Sequence, residues 1–376
     1  MYQVCMMFIT RRLISRFMSK YYEIGEDVKE YPDAWCYIIV GGRNTGKTYG
    51  ALKYLREKKE PHVFIKRTNR DVDLLCTGNR IGEKEKEYAL DFSPYKALNR
   101  DTGDTIKAYK INEGIGAFYR SGEEGGPVGA PIGYLLSLSA VHKYKGFDLS
   151  ECSTIIFDEF IPQPWERVGR KEGEQLMDLY KTVARDRTMR GLPELKLYCL
   201  ANAVNIYNPT CEVLEVTDLI ANMSTKHIET CYQEERGIFI RKLVTSEEMM
   251  EAEEQTGIYK AMAGTAWGDM AFNNEFAYND FSCVRKMSLK GYRPLIELTH
   301  KRKKIYIYSN GNGFYMTASP NKCALSYDLN REMDQRAFWL DHGIDLLNAS
   351  TRGMMYFEKY SYYDLIVNFR NRFVIK

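Results

Sequence analysis

Several absences narrow this 376-residue sequence before any motif is read. Its nine cysteines include no CxxC pair, and Cys36, Cys152 and Cys199 sit inside apolar runs. That pattern excludes a zinc ribbon and a disulfide framework, and fits reduced, buried thiols in a cytosolic setting. The five histidines are scattered without metal-ligand spacing, so each reads as structural or solvated. Charge of one sign is also lacking: the formal net is only +3, so any basic surface for nucleic acid has to be local. No apolar run is long enough to span a bilayer, and no membrane partner is expected. The remaining composition, 44% hydrophobic and 27% charged, is that of a globular chain, and the length suits two or three compact units.

What is present is a phosphate loop. Gly41, Gly42, Arg43, Asn44, Thr45, Gly46, Lys47 and Thr48 match G-x4-G-K-[ST]. Residues 34–40 ahead of the loop form a continuous apolar run, as a buried parallel strand requires. Residues 48–56 behind it carry apolar side chains at helical spacing. The glycines let the backbone turn its N–H groups onto a polyphosphate, and the helix start adds positive potential. Lys47 is placed to reach the β and γ phosphates and the Thr48 hydroxyl to ligate Mg²⁺, while Tyr49 completes the candidate nucleotide contacts. With no N-K-x-D base-reading motif, GTP is disfavoured and ATP with Mg²⁺ is the expected ligand.

A second motif follows at 153–160, where an apolar run ends in Asp158 and Glu159, the Walker B pattern. Asp158 would hold Mg²⁺ through its water shell, and Glu159 would orient and polarise the attacking water. Taken alone, the two acids read equally well as caps of a turn before Pro162. Beside a phosphate loop they favour hydrolysis. Strands at 62–67 and 134–139 fall between the two motifs, and one at 195–202 comes after them. This is an α/β pattern with a mainly parallel sheet, of the additional-strand (ASCE) class of P-loop ATPases. Asn202, at a strand's carboxyl end, either faces the γ-phosphate or sits in the following turn. Residues 105–109 and 116–120 read as a hairpin, and the Gly-rich 121–129 as a flexible connection. A helix over 175–187 ends in Arg185 and Arg187, with Arg190 beyond. Those cations either complement the helix macrodipole or offer an arginine finger to a neighbouring subunit.

The organisation expected is fourfold. Residues 1–17, whose arginines follow the apolar part in the reverse of a secretory signal, read as an extension, with Met18 as the native start. Residues 18–245 form the ATPase domain, and 246–284 a linker module opened by an acidic helix with Ser246 as its cap. Residues 285–376 form a small α/β domain with strands at 294–299, 304–309 and 313–317, a tight turn at Asn310-Gly311, and helices at 335–347 and 362–373. Its cluster Lys301, Arg302, Lys303 and Lys304, with Tyr292, Tyr306 and Tyr308, is either a phosphate-tracking, base-stacking surface or a solvated strand edge. Asp328, Glu332, Asp334, Asp341 and Asp345 fall in loop or helical sequence and not on strand ends, which weighs against a terminase-like active nuclease. The intact Glu159 weighs against a nucleotide-gated scaffold without turnover.

Three blocks carry a resemblance. STIIFDEFI at 153–161, Leu176-Met177-Asp178 with Thr182, Val183, Arg185 and Arg187, and LANAVNIYNP at 200–209 are similar to the DNA-packaging ATPases of small, protein-primed tailed phages, the Picovirinae type. The similarity is clear from about residue 31 to residue 209 and fainter beyond, with departures at 160–172 and 246–280. It implies a ring-forming, pentameric ASCE motor related to the FtsK/HerA branch, which drives double-stranded DNA through the portal into an empty capsid. It further implies an RNase H-type C-terminal domain without its catalytic acids, touching the portal and, in relatives, a structural packaging RNA. Such a protein works in the host cytoplasm, transiently on the portal vertex of the procapsid. By position, Arg185 resembles the trans-acting finger, Lys145 a second trans-acting cation and Asn202 the sensor. Lys66, Arg67 and Arg70 resemble a basic loop that couples to DNA or nucleotide.

Overall fold

The computed structural model describes residues 21–373 except 77–90, 145, 164, 167, 246, 266, 267, 269–275, 277 and 278. The extension at 1–17, Lys145 and the Ser246 cap therefore lie outside the described residues. The chain divides into two units, one formed by residues up to Leu214 with Lys226–Tyr278, the other by Glu215–Thr225 with Asn279–Lys376. The span 246–284 is thus divided between them.

The apolar run before the phosphate loop becomes a strand with every residue buried, and that strand sets the layout of the first unit. In chain order the unit contains α1 (Ile24–Glu30), β1 (Cys36–Gly41), α2 (Lys47–Lys58), β2 (His62–Lys66), α3 (Asn69–Leu75) and α4 (Lys96–Thr102). The hairpin β3 (Ile106–Asn112) and β4 (Ile115–Ser121) comes next, then β5 (Pro127–Ser137), β6 (Thr154–Asp158), α5 (Glu172–Ala184), β7 (Lys196–Asn202) and α6 (Pro209–Val213). After α7 (Thr217–Thr225), which belongs to the second unit, come β8 (Thr230–Gln233), β9 (Ile238–Lys242), α8 (Glu247–Glu254) and α9 (Gly257–Met262).

The nine strands form one sheet in the order β3-β4-β5-β2-β6-β7-β1-β9-β8. From β5 to β9 every neighbouring pair is parallel, and antiparallel pairs close the two edges. β1 shows no apolar–polar alternation, because all six of its residues are buried. That is the signature of a central strand covered on both faces. β7 lies between β1 and β6, and its register sets Asn202 beside Gly41 and Leu200 beside Asp158. Three carboxyl ends therefore meet at one edge of the sheet, where an open α/β sheet binds its ligands.

Two local expectations are revised. The Gly-rich 121–129 is a tight hairpin turn, not a flexible connection: Gly122 N donates to Gly126 O at 2.8 Å, and Gly125 takes φ +84. The turn lets β5 start at Pro127 and pair Val128 with Arg120, because β4 runs on to Ser121 and needs a partner. The helix expected at 175–187 starts earlier, at Glu172, and stops at Ala184, because Arg185 leaves the helical region with φ 32 and ψ −113.

The second unit contains β10 (Arg293–His300), β11 (Lys303–Asn310), β12 (Gly313–Thr317), β13 (Leu325–Asp328), α10 (Glu332–Phe338), α11 (Ile344–Thr351), β14 (Met355–Phe357), α12 (Tyr360–Val367) and α13 (Phe369–Phe373). Its sheet runs β13-β10-β11-β12-β14, with the three inner strands antiparallel, β13 parallel to β10 and β14 parallel to β12. Ile296, Leu298, Ile305, Ile307 and Met316 pack one face of the sheet against Phe338, Leu346, Leu365 and Phe369 of the helices. α7 joins this unit through Asp218, which accepts from Ser361 N at 2.7 Å and Ser361 Oγ at 2.8 Å at the start of α12.

Candidate active site

The phosphate loop is pinned from both sides. Asn44 and Gly46 take positive φ (60 and 85), which turns the backbone back over the start of α2. Tyr22 N donates to Thr45 O at 3.0 Å, and the Tyr22 carbonyl lies so close to Gly50 that a Cβ there would sit 2.3 Å from it. Only glycine fits at that position. Tyr22 is fixed in turn by Asp27, which accepts from the Tyr22 hydroxyl at 2.7 Å and from Arg241 Nε at 2.7 Å.

Lys47 is buried at the first position of α2. Its ammonium donates to the carbonyls of Gly41 and Gly42, to Thr45 Oγ1 at 3.1 Å and to Asn202 Oδ1 at 3.2 Å. All these acceptors are neutral. Burial lowers its pKa to about 8, only partly offset by Asp158. An anion lodged here would restore the proton affinity that burial removes, so the donor set fits a polyphosphate. One residue on, Thr48 Oγ1 donates to Asp158 Oδ1 at 2.8 Å. A hydroxyl and a carboxylate so placed are the hard oxygen pair that a Mg²⁺ ion takes beside phosphate oxygens.

The carboxyl end of β6 carries a third group. Lys66 Nζ lies 2.9 Å from Asp158 Oδ2 and 3.0 Å from Glu159 Oε2. Burial disfavours the Lys66 charge, but Asp158 and Glu159 outweigh it and its pKa is raised. Glu159 adopts φ +57, a left-handed conformation that costs a non-glycine residue about 1–2 kcal/mol. That turn directs its carboxylate outward, with the side chain 62% exposed. Arg67 braces the turn from behind: Nη2 donates to Glu159 O at 3.0 Å and to Phe160 O at 3.1 Å. Its Nε reaches Glu172 Oε2 at 2.7 Å and its Nη1 reaches Glu166 Oε2 at 3.1 Å. Burial raises the Glu172 pKa, with Arg67 working the other way.

A sequence model of the podovirus DNA encapsidation protein (Gp16) family matches residues 129–331, more than half of the chain. The chain belongs to that family. The DNA packaging protein of Bacillus phage B103 is 22% identical over 279 residues, covering 72% of this chain and 73% of that protein. Among solved structures, the Phi-28 gp11 DNA packaging motor superposes with a TM-score of 0.58 at 16% identity, covering 95% of this chain and 99% of that one, a likeness of fold. The N-terminal domain of the DNA packaging ATPase from bacteriophage phi29 gives a TM-score of 0.42 at 18% identity, over 61% of this chain and 99% of that one.

In this encapsidation-family chain the loop residues Gly41 to Thr48 meet Asp158 and Asn202 at one sheet edge, and Lys66 links Asp158 to Glu159, the next residue in the chain. Arg43 and Asn44 are exposed on the loop, and Tyr49 turns to Asp101, to which its hydroxyl donates at 3.0 Å. Arg185 is exposed at the carboxyl end of α5. The basic loop needs correcting as a nucleic-acid surface. The Lys66 and Arg67 side chains are only 14% and 12% exposed and are held by carboxylates, so neither faces outward; Arg70 does. Lys301, Arg302, Lys303 and Lys304 are exposed at the β10–β11 turn, with Lys303 paired to Glu215 at 3.0 Å and Lys304 to Glu297 at 2.7 Å. Arg187 is buried and donates to the carbonyls of Ser150, Cys152 and Pro193, a structural role. Lys66 and Arg67 are named as site residues from the sequence, but their carboxylate partners are not foreseen there, and neither is Glu172. The register of β2 beside β6, which sets Ile65 against Phe157, is the signal that brings them in.

Proposed function

We propose that this chain is an ATP-hydrolysing motor that drives double-stranded viral DNA into a procapsid, firing at the subunit boundaries of a ring. The observation that carries the reading is the 2.8 Å bond from Thr48 Oγ1 to Asp158 Oδ1, which joins the phosphate-loop helix to the end of the Walker B strand. The position of β7 between β1 and β6 supports an ASCE core. Family membership and the Bacillus phage B103 relative support packaging as the task.

Magnesium-bound ATP supplies the scissile phosphoanhydride and the cation that neutralises it. Lys47 and the loop N–H groups would hold the phosphates, while Thr48 and Asp158 would hold the cation. Glu159 accepts a hydrogen bond from the attacking water and aligns it from its outward turn. Asn202, bonded to Lys47, reads the γ end. Arg185 and Lys145 of the neighbouring subunit complete the charge on the transferring group.

Residues 18–245 form the motor domain in this reading, 246–284 the linker and 285–376 a vestigial RNase H-type domain that docks on the portal and on nucleic acid. Three antiparallel strands with β13 parallel to β10 support that assignment. Its acids are committed locally: Glu297 to Lys304 at 2.7 Å, Asp334 to Asp328 N at 2.7 Å and Asp328 to Asn330 Nδ2 at 2.7 Å. Lys301, Arg302, Lys303 and Lys304 are the surface offered to DNA or a structural packaging RNA. The assembly is a pentamer acting in the host cytoplasm, on the portal vertex while packaging lasts.

Steady-state ATP hydrolysis with and without DNA, followed against protein concentration, tests the reading. A shared site gives DNA-stimulated turnover that rises faster than linearly with concentration. Turnover that is absent, or strictly linear and indifferent to DNA, would exclude it.

A further inference from the structure

The geometry points to Arg67 as the positioning residue for Glu159, with Glu172 as its anchor. This rests on the hydrolytic reading above and names how the water-aligning carboxylate is held. Glu159 occupies a left-handed conformation (φ +57) on a carboxylate that is mostly exposed, so neither its own backbone preference nor burial of its side chain fixes it. One guanidinium does. Arg67 caps the carbonyls of Glu159 and Phe160 with a single nitrogen, at 3.0 and 3.1 Å. Its other two nitrogens reach Glu172 and Glu166, which fixes the orientation of the fork. The Glu172 side chain is only 4% exposed and is the first residue of α5, so the anchor sits on a rigid element. Glu166 also accepts from Gln163 N at 3.0 Å, which ties the loop after the Walker B strand to the same cation. Lys66 holds the Glu159 carboxylate from the other side at 3.0 Å. Arg67 therefore sets the backbone from which Glu159 projects, and Lys66 the side chain.

Arg67→Lys keeps the positive charge, but its one nitrogen cannot hold both carbonyls and reach Glu172 and Glu166 at the same time. Purified Arg67→Lys is expected to lose about 10–100-fold in kcat with the Kd for ATP within about twofold of wild type, the effect of displacing a catalytic group by about an ångström. In a Glu159→Gln background the same substitution should cost less than about a further twofold, because its effect passes through Glu159. Hydrogen exchange reads the brace without turnover: the Phe160 amide, which donates to Leu200 O at 3.2 Å, should exchange faster in Arg67→Lys while β7 keeps its protection. Should Arg67→Lys fail to fold, Glu172→Gln tests the anchor, with a smaller loss in the same direction. Unchanged kcat, or a loss that multiplies fully in Glu159→Gln, overturns the assignment even where exchange changes. A wild-type protein that binds ATP and never hydrolyses it overturns the motor reading, and leaves Arg67 a structural brace alone.

Discussion

The Lys66 ammonium lies 2.9 Å from Asp158 Oδ2, on the carboxylate whose other oxygen takes the Thr48 hydroxyl. A protein cation thus sits at the point where a metal cation would act, and it holds Glu159 as well. Replacing Lys66 by Met removes the competitor and leaves two carboxylates facing each other. The half-saturating Mg²⁺ concentration for nucleotide binding should fall by about 3–10-fold, while the metal-free protein loses about 1–3 kcal/mol of stability. Titration of bound nucleotide against Mg²⁺ and a thermal melt in EDTA check the two halves. An unchanged Mg²⁺ midpoint would show that Lys66 does not compete there.

Lys47 gives the site a pH dependence of definite sign. Burial lowers its pKa to about 8, and phosphate favours the protonated form. Above pH 8, binding must take up a proton, so the Kd for ATP should rise by about tenfold per pH unit until the pKa of the complex is reached. The ligand-free protein moves the opposite way. Its folded state binds fewer protons than the unfolded chain between about pH 8 and the ordinary lysine value of 10.5, so this residue's contribution favours folding increasingly across that window. Kd measured from pH 7 to pH 9.5, with Lys47→Met as the flat control, decides it. A wild-type profile as flat as the variant's would remove Lys47 from the phosphate.

Arg185 stands at the end of α5 in a non-helical conformation, exposed. If it acts in trans, Arg185→Ala binds ATP normally and hydrolyses it about 10³-fold more slowly. Mixing it with Glu159→Gln subunits, which carry the arginine but lack the base, should restore part of the rate. Normal hydrolysis by Arg185→Ala alone would discard the assignment.

The Asp27–Arg241 pair is buried and also holds Tyr22, whose backbone holds the phosphate loop. Asp27→Ala leaves a buried guanidinium uncompensated and should cost about 3–5 kcal/mol. The loss is read from denaturant unfolding. A cost below about 1 kcal/mol would mean that the pair is open to water.

Much of this site was legible in the sequence, and the limit of legibility has a physical cause. The places of Gly41 to Thr48 and Asp158 are readable because each ends or follows an apolar run whose strand character is local, whereas the sequence leaves Asn202 between the γ-phosphate and a turn. The resemblance leaves Lys66 and Arg67 between DNA and nucleotide, and clustered charge looks the same in sequence whether it faces water or, as for Lys66, a carboxylate 92 positions away. Only the pairing of β2 with β6 separates the two. The same holds for α7: nothing near Asp218 announces that its partner is Ser361. The hairpin at 122–126 was missed for the opposite reason, since glycines that permit flexibility also permit the tightest turns.

The account depends on water being aligned by Glu159 against a phosphate held at Lys47. Single-turnover hydrolysis by Glu159→Gln beside wild type, with ATP binding measured on the same samples, tests this most directly. The expected result is an unchanged Kd with hydrolysis slowed by about 10²–10⁴-fold. Hydrolysis at the wild-type rate by a variant that binds ATP equally well would contradict it.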